Sequence, residues 1–233
     1  MSDALLRMEE LISNPYTRVP VCLCLDVSGS MSGQPIQELN EGVRLFYDAI
    51  KEDQTAFYAA EISIVVFGGR KAECIRSFSG LKLQPDPPEL QAGGMTPMGE
   101  AVNMALDMLE QKKREYQSNG VDYFQPWLVL MTDGSPNGDK EEQARAISRT
   151  TEAVNNRKLT IFPIGIGSKA DMKVLHEFSP KRVPVKLKDL KFREFFTWLS
   201  KSVSTTSRST LGDSIKLDTE GLTEWVDIGD IIE

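Results

Sequence analysis

Residues 19–25, Val-Pro-Val-Cys-Leu-Cys-Leu, form an uncharged apolar run that stops at Asp26. A strand apolar at every position, rather than every second one, must be covered on both faces, as a central strand of a parallel sheet is. Parallel strands need long crossovers, so helices are expected after such strands, packed on both faces of the sheet. The rest of the chain supplies them. A helix is expected from Pro35, because proline in a first turn loses no hydrogen bond; Ile36, Leu39, Val43, Phe46, Tyr47 and Ile50 then recur on one face. Residues 61–67 and 72–78 flank Gly68-Gly69 and read as a hairpin carrying an edge strand. Beyond a proline-rich loop (84–91), the alternation resumes with a helix (97–117), a buried strand (127–131), a polar helix (139–157) and a strand (159–166). A short helix (171–178), a short strand (185–187) and a last helix (192–203) burying Phe192, Phe195, Phe196, Leu199 and Val203 complete it. The aromatic cluster around Trp198 reads as a core face rather than a binding platform. The expected fold is α/β: doubly wound, with a mostly parallel central sheet and one antiparallel edge strand.

Residues 1–18 read as a helical lead-in, 19–204 as the folded domain and 205–233 as an extension. The extension is Ser/Thr-rich, then acidic: seven acidic residues against Arg208 and Lys216 give it −5 of the chain's net −7. Leu211, Ile215, Leu217, Leu222, Trp225 and Val226 give it apolar contacts for docking, with Asp218, Glu220, Glu224 and Asp227 as carboxylates able to approach a cation. Ser202, Ser204, Thr205, Thr206, Ser207, Ser209 and Thr210 crowd its start, and a kinase is expected to modify those beyond the helix first. No basic stripe could replace counterions along phosphates, which argues against nucleic acid as a partner. No apolar stretch approaches a membrane span, and the N-terminus lacks the pattern of a signal peptide. Three cysteines cannot all pair, and Cys22 and Cys24 sit within the apolar run as strand residues; a reducing cytoplasm is the expected compartment.

The chemistry is concentrated at three strand ends. Asp26-Val27-Ser28-Gly29-Ser30 follows the first strand, Thr96-Pro97 follows Gly93-Gly94-Met95 and opens a helix, and Asp133-Gly134 follows the strand ending near residue 132. In an open α/β sheet such ends line the crevice where ligands bind. Positions 26, 28 and 30 alternate in an extended segment, so their side chains converge on one side. Any one segment could be a turn or a helix cap. Together they offer two carboxylates and three hydroxyls and no nitrogen or sulfur, a donor set for Mg²⁺ or Mn²⁺ rather than Zn²⁺. If only one carboxylate binds directly, positive charge is left for a carboxylate supplied from outside.

Asp-x-Ser-x-Ser, then Thr, then Asp resembles the metal-ion-dependent adhesion site of von Willebrand factor A (VWA) domains, a likeness running from Val19 to about Ser207. Leu-Asp-Val-Ser-Gly-Ser-Met-Ser-Gly-Gln-Pro-Ile, Met-Thr-Asp-Gly-Ser-Pro and Phe-Arg-Glu-Phe-Phe-Thr-Trp-Leu-Ser-Lys-Ser-Val-Ser are similar, more narrowly, to the bacterial tellurite-resistance-type VWA proteins. The resemblance implies a cytoplasmic, non-catalytic module that binds metal through Asp26, Ser28, Ser30, Thr96 and Asp133 and holds a partner's Asp or Glu carboxylate. It further implies a link to a Ser/Thr kinase and a PP2C-type phosphatase; the alternative is a scaffold subunit of an ATPase or chelatase-like machine. Met95, between Gly-Gly and Thr96, and the acidic extension depart from the family pattern.

Enzyme readings find too few groups. A haloacid-dehalogenase-type phosphatase would use Asp26 as nucleophile and a carboxylate two residues on, where this chain has Ser28. A Ser-His-Asp hydrolase needs a histidine base, and the one histidine, His176, lies on a short helix between Leu175 and Glu177. Residues 165–170, Gly-Ile-Gly-Ser-Lys-Ala, imitate a dinucleotide loop but follow the fifth strand, not the first.

Overall fold

The computed structural model, which describes residues 3–212 and 222–227, turns the apolar run into β1 (Val19–Asp26), buried at every position. Its parallel neighbours are β2 (Ala60–Gly68) and β4 (Trp127–Thr132). On one side β2 pairs antiparallel with β3 (Lys71–Gly80), as the hairpin reading anticipated. On the other, β4 pairs in parallel with β5 (Thr160–Ile166), which pairs in parallel with β6 (Val185–Leu187). A two-residue strand, β7 (Val226–Asp227), adds antiparallel to β6, and the sheet order is β3-β2-β1-β4-β5-β6-β7.

Alternation along β1 divides the core in two. Val21, Leu23 and Leu25 pack on the side of Phe46 from α2 (Gln34–Glu52) and Phe196 from α7 (Phe192–Ser207). Cys22 and Cys24 face the opposite side, with Val102 of α4 (Met98–Ser118), Ala146 of α5 (Lys140–Asn155) and Leu175 of α6 (Met172–Phe178). Both cysteines are unpaired, and burial pushes the Cys22 thiol up to about 12, so it behaves as a small apolar side chain. Gly42 lets α2 and α7 meet closely, since a Cβ there would lie 2.6 Å from the Phe196 ring.

At the opposite pole from the Asp26 end of β1, a buried ion network fixes the lead-in helix α1 (Asp3–Ser13). The fully buried Arg18 donates through Nη2 to the carbonyls of Leu11 (3.0 Å) and Asn14 (3.1 Å) at the C-terminal end of that helix. Its Nε meets Glu61 at 3.2 Å, and Lys112 reaches the other oxygen of Glu61 at 2.6 Å. Burial pushes the Glu61 carboxyl above the usual carboxylate range, and the two cations on it, Lys112 and Arg18, oppose that push without cancelling it.

Two features were not anticipated. Asp53 accepts from the Thr55 and Ala56 amides (3.0 and 3.2 Å) and starts a short helix, α3 (Gln54–Ala59). The last helix continues through Ser207, burying Ser202 and Thr206, so that of the seven hydroxyls only Ser209 and Thr210 lie beyond it. The docking expected of Trp225 and Val226 takes a specific form: the one-turn helix α8 (Leu222–Trp225) leads into β7, and both residues are buried against the sheet. Asp218 and Glu220, named above as carboxylates able to reach a cation, lie outside the described residues. Trp225 sits next to β6, with exposed Glu224 beside it, four strand spacings or roughly 19 Å from β1.

Candidate metal centre

The carboxyl end of β1 stays extended beyond the strand because the Val27 amide donates to the Phe67 carbonyl of β2 (3.0 Å). That carries Asp26, fully buried, to Ser28, also buried, before a tight 3-10 turn at Gly29–Met31 exposes Ser30. Asp26 is held from two sides. The Ser28 amide donates to one carboxylate oxygen (2.8 Å), and the hydroxyl of Thr132, at the end of β4, donates to the other (2.6 Å). Burial pushes its carboxyl above the usual carboxylate range and the nearby Asp133 adds to that push, while the bonds from Ser28 and Thr132 oppose it.

From this buried carboxylate a row of oxygens leads outward. The hydroxyls of Ser28 and Ser30 are 3.0 Å apart, and Ser30 donates to Asp133 Oδ1 at 2.7 Å. Asp133, half-buried, follows β4 directly, so the parallel pairing of β1 with β4 sets the two carboxylates side by side. Four of the five sequence candidates are thus joined by hydrogen bonds.

Thr96, the fifth, is tied to them through backbone, not through its own hydroxyl. Gly29 donates to the Gly94 carbonyl (3.0 Å) and Gly93 to the Val27 carbonyl (2.7 Å), locking the two loops together. On its other side the Thr96 amide donates to Asn137 Oδ1 (2.6 Å), and the Asn137 amide returns a bond to the Thr96 carbonyl (3.2 Å). Helix α4 begins with Pro97 at its N-cap and no side-chain cap, so the Thr96 hydroxyl does not serve as the helix cap. Gly94 has φ +77° and packs so tightly on Gly69 that a Cβ would fall 2.1 Å from the Gly69 Cα. Met95, next along, donates its amide to the Gly69 carbonyl (2.8 Å) and leaves its side chain half exposed at the rim.

The donor set suits a small hard cation. Ligand oxygens about 2.1 Å from an octahedral Mg²⁺ lie about 3.0 Å from their neighbours, and the Ser28, Ser30 and Asp133 oxygens are spaced at 3.0 and 2.7 Å. Among the described residues no group of three or more His, Cys, Asp and Glu side chains is placed to hold a metal, so the candidate set rests on two carboxylates and three hydroxyls. Sequence reading missed two residues here, Thr132 and Asn137. Thr132 was visible as the polar end of an otherwise apolar strand; Asn137, in a Ser-Pro-Asn-Gly turn, looked like turn chemistry alone.

Comparison with known proteins agrees with this architecture. The family model for the von Willebrand factor type A domain matches residues 21–196. Inter-alpha-trypsin inhibitor heavy chain H4 of Sus scrofa is 26% identical over 154 residues, covering 63% of this chain and 15% of that protein. The uncharacterized protein sll0103 of Synechocystis is 27% identical over 164 residues, covering 68% of this chain and 35% of its own length. The chain therefore spans well under half of either relative. Among solved structures, a von Willebrand factor type A protein from Catenulispora acidiphila superposes with a TM-score of 0.63 at 18% identity, covering 81% of this chain and 43% of that one. With the family model covering both carboxylates and every strand from β1 to β6, the chain belongs to the von Willebrand factor type A domain family.

Proposed function

We propose that this domain is a non-catalytic, metal-dependent protein-binding module. Domains of its family are generally protein-interaction modules. Asp26, Ser28, Ser30, Thr96 and Asp133 hold a divalent cation, Mg²⁺ first and Mn²⁺ as the alternative. The cation supplies an attraction for an Asp or Glu carboxylate of the partner. The observation that carries the reading is the row of oxygens from buried Asp26 through Ser28 and Ser30 to Asp133, which opens to solvent at Ser30. A buried carboxylate beside a second one is an unfavourable arrangement that a cation reverses, and the protein's own residues supply the rest. Thr132 and the Ser28 amide orient Asp26, Asn137 holds the Thr96 loop, and β1, β4 and the glycine contact keep the set in place.

Catalysis lacks its groups. No carboxylate stands two residues beyond Asp26, and His176 belongs to α6. The tellurite-resistance-type motifs favour a Ser/Thr kinase and a PP2C-type phosphatase as partners in a bacterial cytoplasmic stress pathway. Among the described residues no helix is long and apolar enough to cross a membrane. The test has two arms. Titration calorimetry is expected to show Mg²⁺ or Mn²⁺ binding that Asp26→Ala abolishes, and capture on the immobilised chain is expected to retain the kinase or phosphatase until EDTA is added. Equal metal affinity in Asp26→Ala sinks the site; EDTA-resistant retention, or an ATPase retained instead, sinks the partner reading.

A further inference from the structure

The outer edge of β6 carries features that the metal centre does not use. An exposed sheet edge is a template for another strand, and proteins cover it or charge it. Here the cover is specific. Leu187 pairs with Val226 and Lys186 with Asp227, and the Lys188 amide donates to the Trp225 carbonyl (3.0 Å). Trp225 and Val226 are 8% and 3% exposed and belong to the main core cluster. The Trp225 ring rests on Phe195 and Trp198 of α7, with centroids 6.2 and 6.3 Å away. Trp198 in turn meets Phe162 of β5 edge-on.

The edge and its cover are also matched in charge. Residues 181–191 hold Lys181, Arg182, Lys186, Lys188 and Lys191 against Asp189, a net of +4, while the segment at the edge, 222–227, carries Glu224 and Asp227 and no basic residue. Among the described residues of the cover, Val226 and Asp227 are strand-paired, and Trp225 fills the aromatic seat. The family model stops at residue 196, so this seat is closed by a segment outside the shared domain.

We propose that the β6 edge is a strand-docking site for an acidic, extended segment of a partner protein bearing a tryptophan followed by a β-branched residue. Residues 222–227 occupy it in cis and compete with that partner. The mode is strand addition, in which backbone bonds give affinity and the side-chain seat gives specificity. A tethered occupant acts at a high effective concentration, so the cis segment keeps out weak strands and yields only to a well-matched one. The inference is independent of the metal centre.

The probe is a labelled peptide of residues 219–230, titrated into the full-length chain carrying Trp225→Ala and into the unaltered chain. The variant is expected to bind it saturably. The same peptide with alanine in place of tryptophan is expected to bind at least about tenfold more weakly, as for a single aromatic anchor. The unaltered chain, already occupied, is expected to bind at least about tenfold more weakly than the variant. Amide exchange gives a second readout that needs no peptide: Lys188 is protected in the unaltered chain, exposed in Trp225→Ala and protected again by the peptide. If Trp225→Ala does not fold, Trp225→Phe keeps a ring in the seat and is expected to raise Lys188 exchange by a smaller factor. Equal peptide binding by both chains, no binding by a folded variant, or a Lys188 amide still protected without Trp225 overturns the proposal. So does protection that is lost on dilution with dissociation of a dimer, which would make the occupant a second copy.

Discussion

Gly94→Ala is the sharpest probe of how the metal loop is held. Alanine at φ +77° pays the left-handed penalty of about 1–2 kcal/mol. The added Cβ would also fall 2.1 Å from the Gly69 Cα and 2.2 Å from its nitrogen, and no rotamer change relieves a backbone contact. The two loops must separate, stretching the bonds from Met95 to Gly69 (2.8 Å), Gly69 to Gly93 (2.7 Å) and Gly29 to Gly94 (3.0 Å). At about 1 kcal/mol each, losing all three brings the total to about 4–5 kcal/mol. Gly120→Ala is the control: φ is +64° but nothing lies within 4 Å of its Cβ, so only the conformational cost of about 1–2 kcal/mol remains. In urea unfolding, Gly94→Ala is expected to lose about 3 kcal/mol more than Gly120→Ala. Calorimetry is expected to show Mg²⁺ affinity reduced in the first variant and unchanged in the second. Equal losses in the two variants, with equal metal affinity, would refute the claim that contact with Gly69 positions Thr96.

Ser30→Ala removes an exposed hydroxyl that touches Asp133, so Mg²⁺ affinity is expected to fall about tenfold while the melting temperature in EDTA hardly moves; a fall in stability without one in affinity contradicts it. Asp26→Asn tests the buried charge. Because burial raises the Asp26 pKa, ionisation opposes folding: the cost is absent below the ordinary value of 3.8 and grows as pH rises through the raised one. Melting in EDTA is therefore expected to show Asp26→Asn gaining on the unaltered chain across that window, with Mg²⁺ closing the gap; a gap independent of pH refutes it. A cognate kinase, if one acts here, is expected to modify Ser209 and Thr210 before the buried Ser202 and Thr206, as phosphopeptide mapping would show. Purified protein is expected not to hydrolyse phosphate esters, and metal-dependent turnover lost in Asp26→Asn would restore the phosphatase reading.

Long-range order was legible wherever one physical demand dominated. Residues 19–25 had to be covered on both faces, and that single requirement led to parallel neighbours, crossover helices and candidate ligands at the carboxyl ends of strands. The hairpin between β2 and β3 followed from glycines between apolar runs. Four of the candidate ligands met because Asp26 ends β1 and Asp133 follows the neighbouring β4, a juxtaposition that the repeated strand-helix alternation implied.

What stayed hidden depended on partners far away in sequence. Nothing local marks Asn137 as the clamp on Thr96, 41 residues away, because an Asn in a Pro-Asn-Gly stretch satisfies turn chemistry equally well. The short α3 rests on one cap from Asp53, weaker than the apolar patterns that announce longer helices. Trp225 is the instructive case. Leu222 and Val226 beside it marked the segment for docking, but apolar residues broken by Glu224 and Asp227 show no strand period, and the ring and Val226 are buried as deeply as core residues. The segment showed that it could dock, and the place lay in the receptor. Strand β6 is three residues long and ends a sheet whose last helix presents Phe195 and Trp198 beside it, leaving an edge and an aromatic floor that something must cover. A basic stretch around β6 that meets a segment bearing Glu224 and Asp227 satisfies that need through charge as well as through the aromatic seat, the combination by which a matched strand from another protein would be recognised.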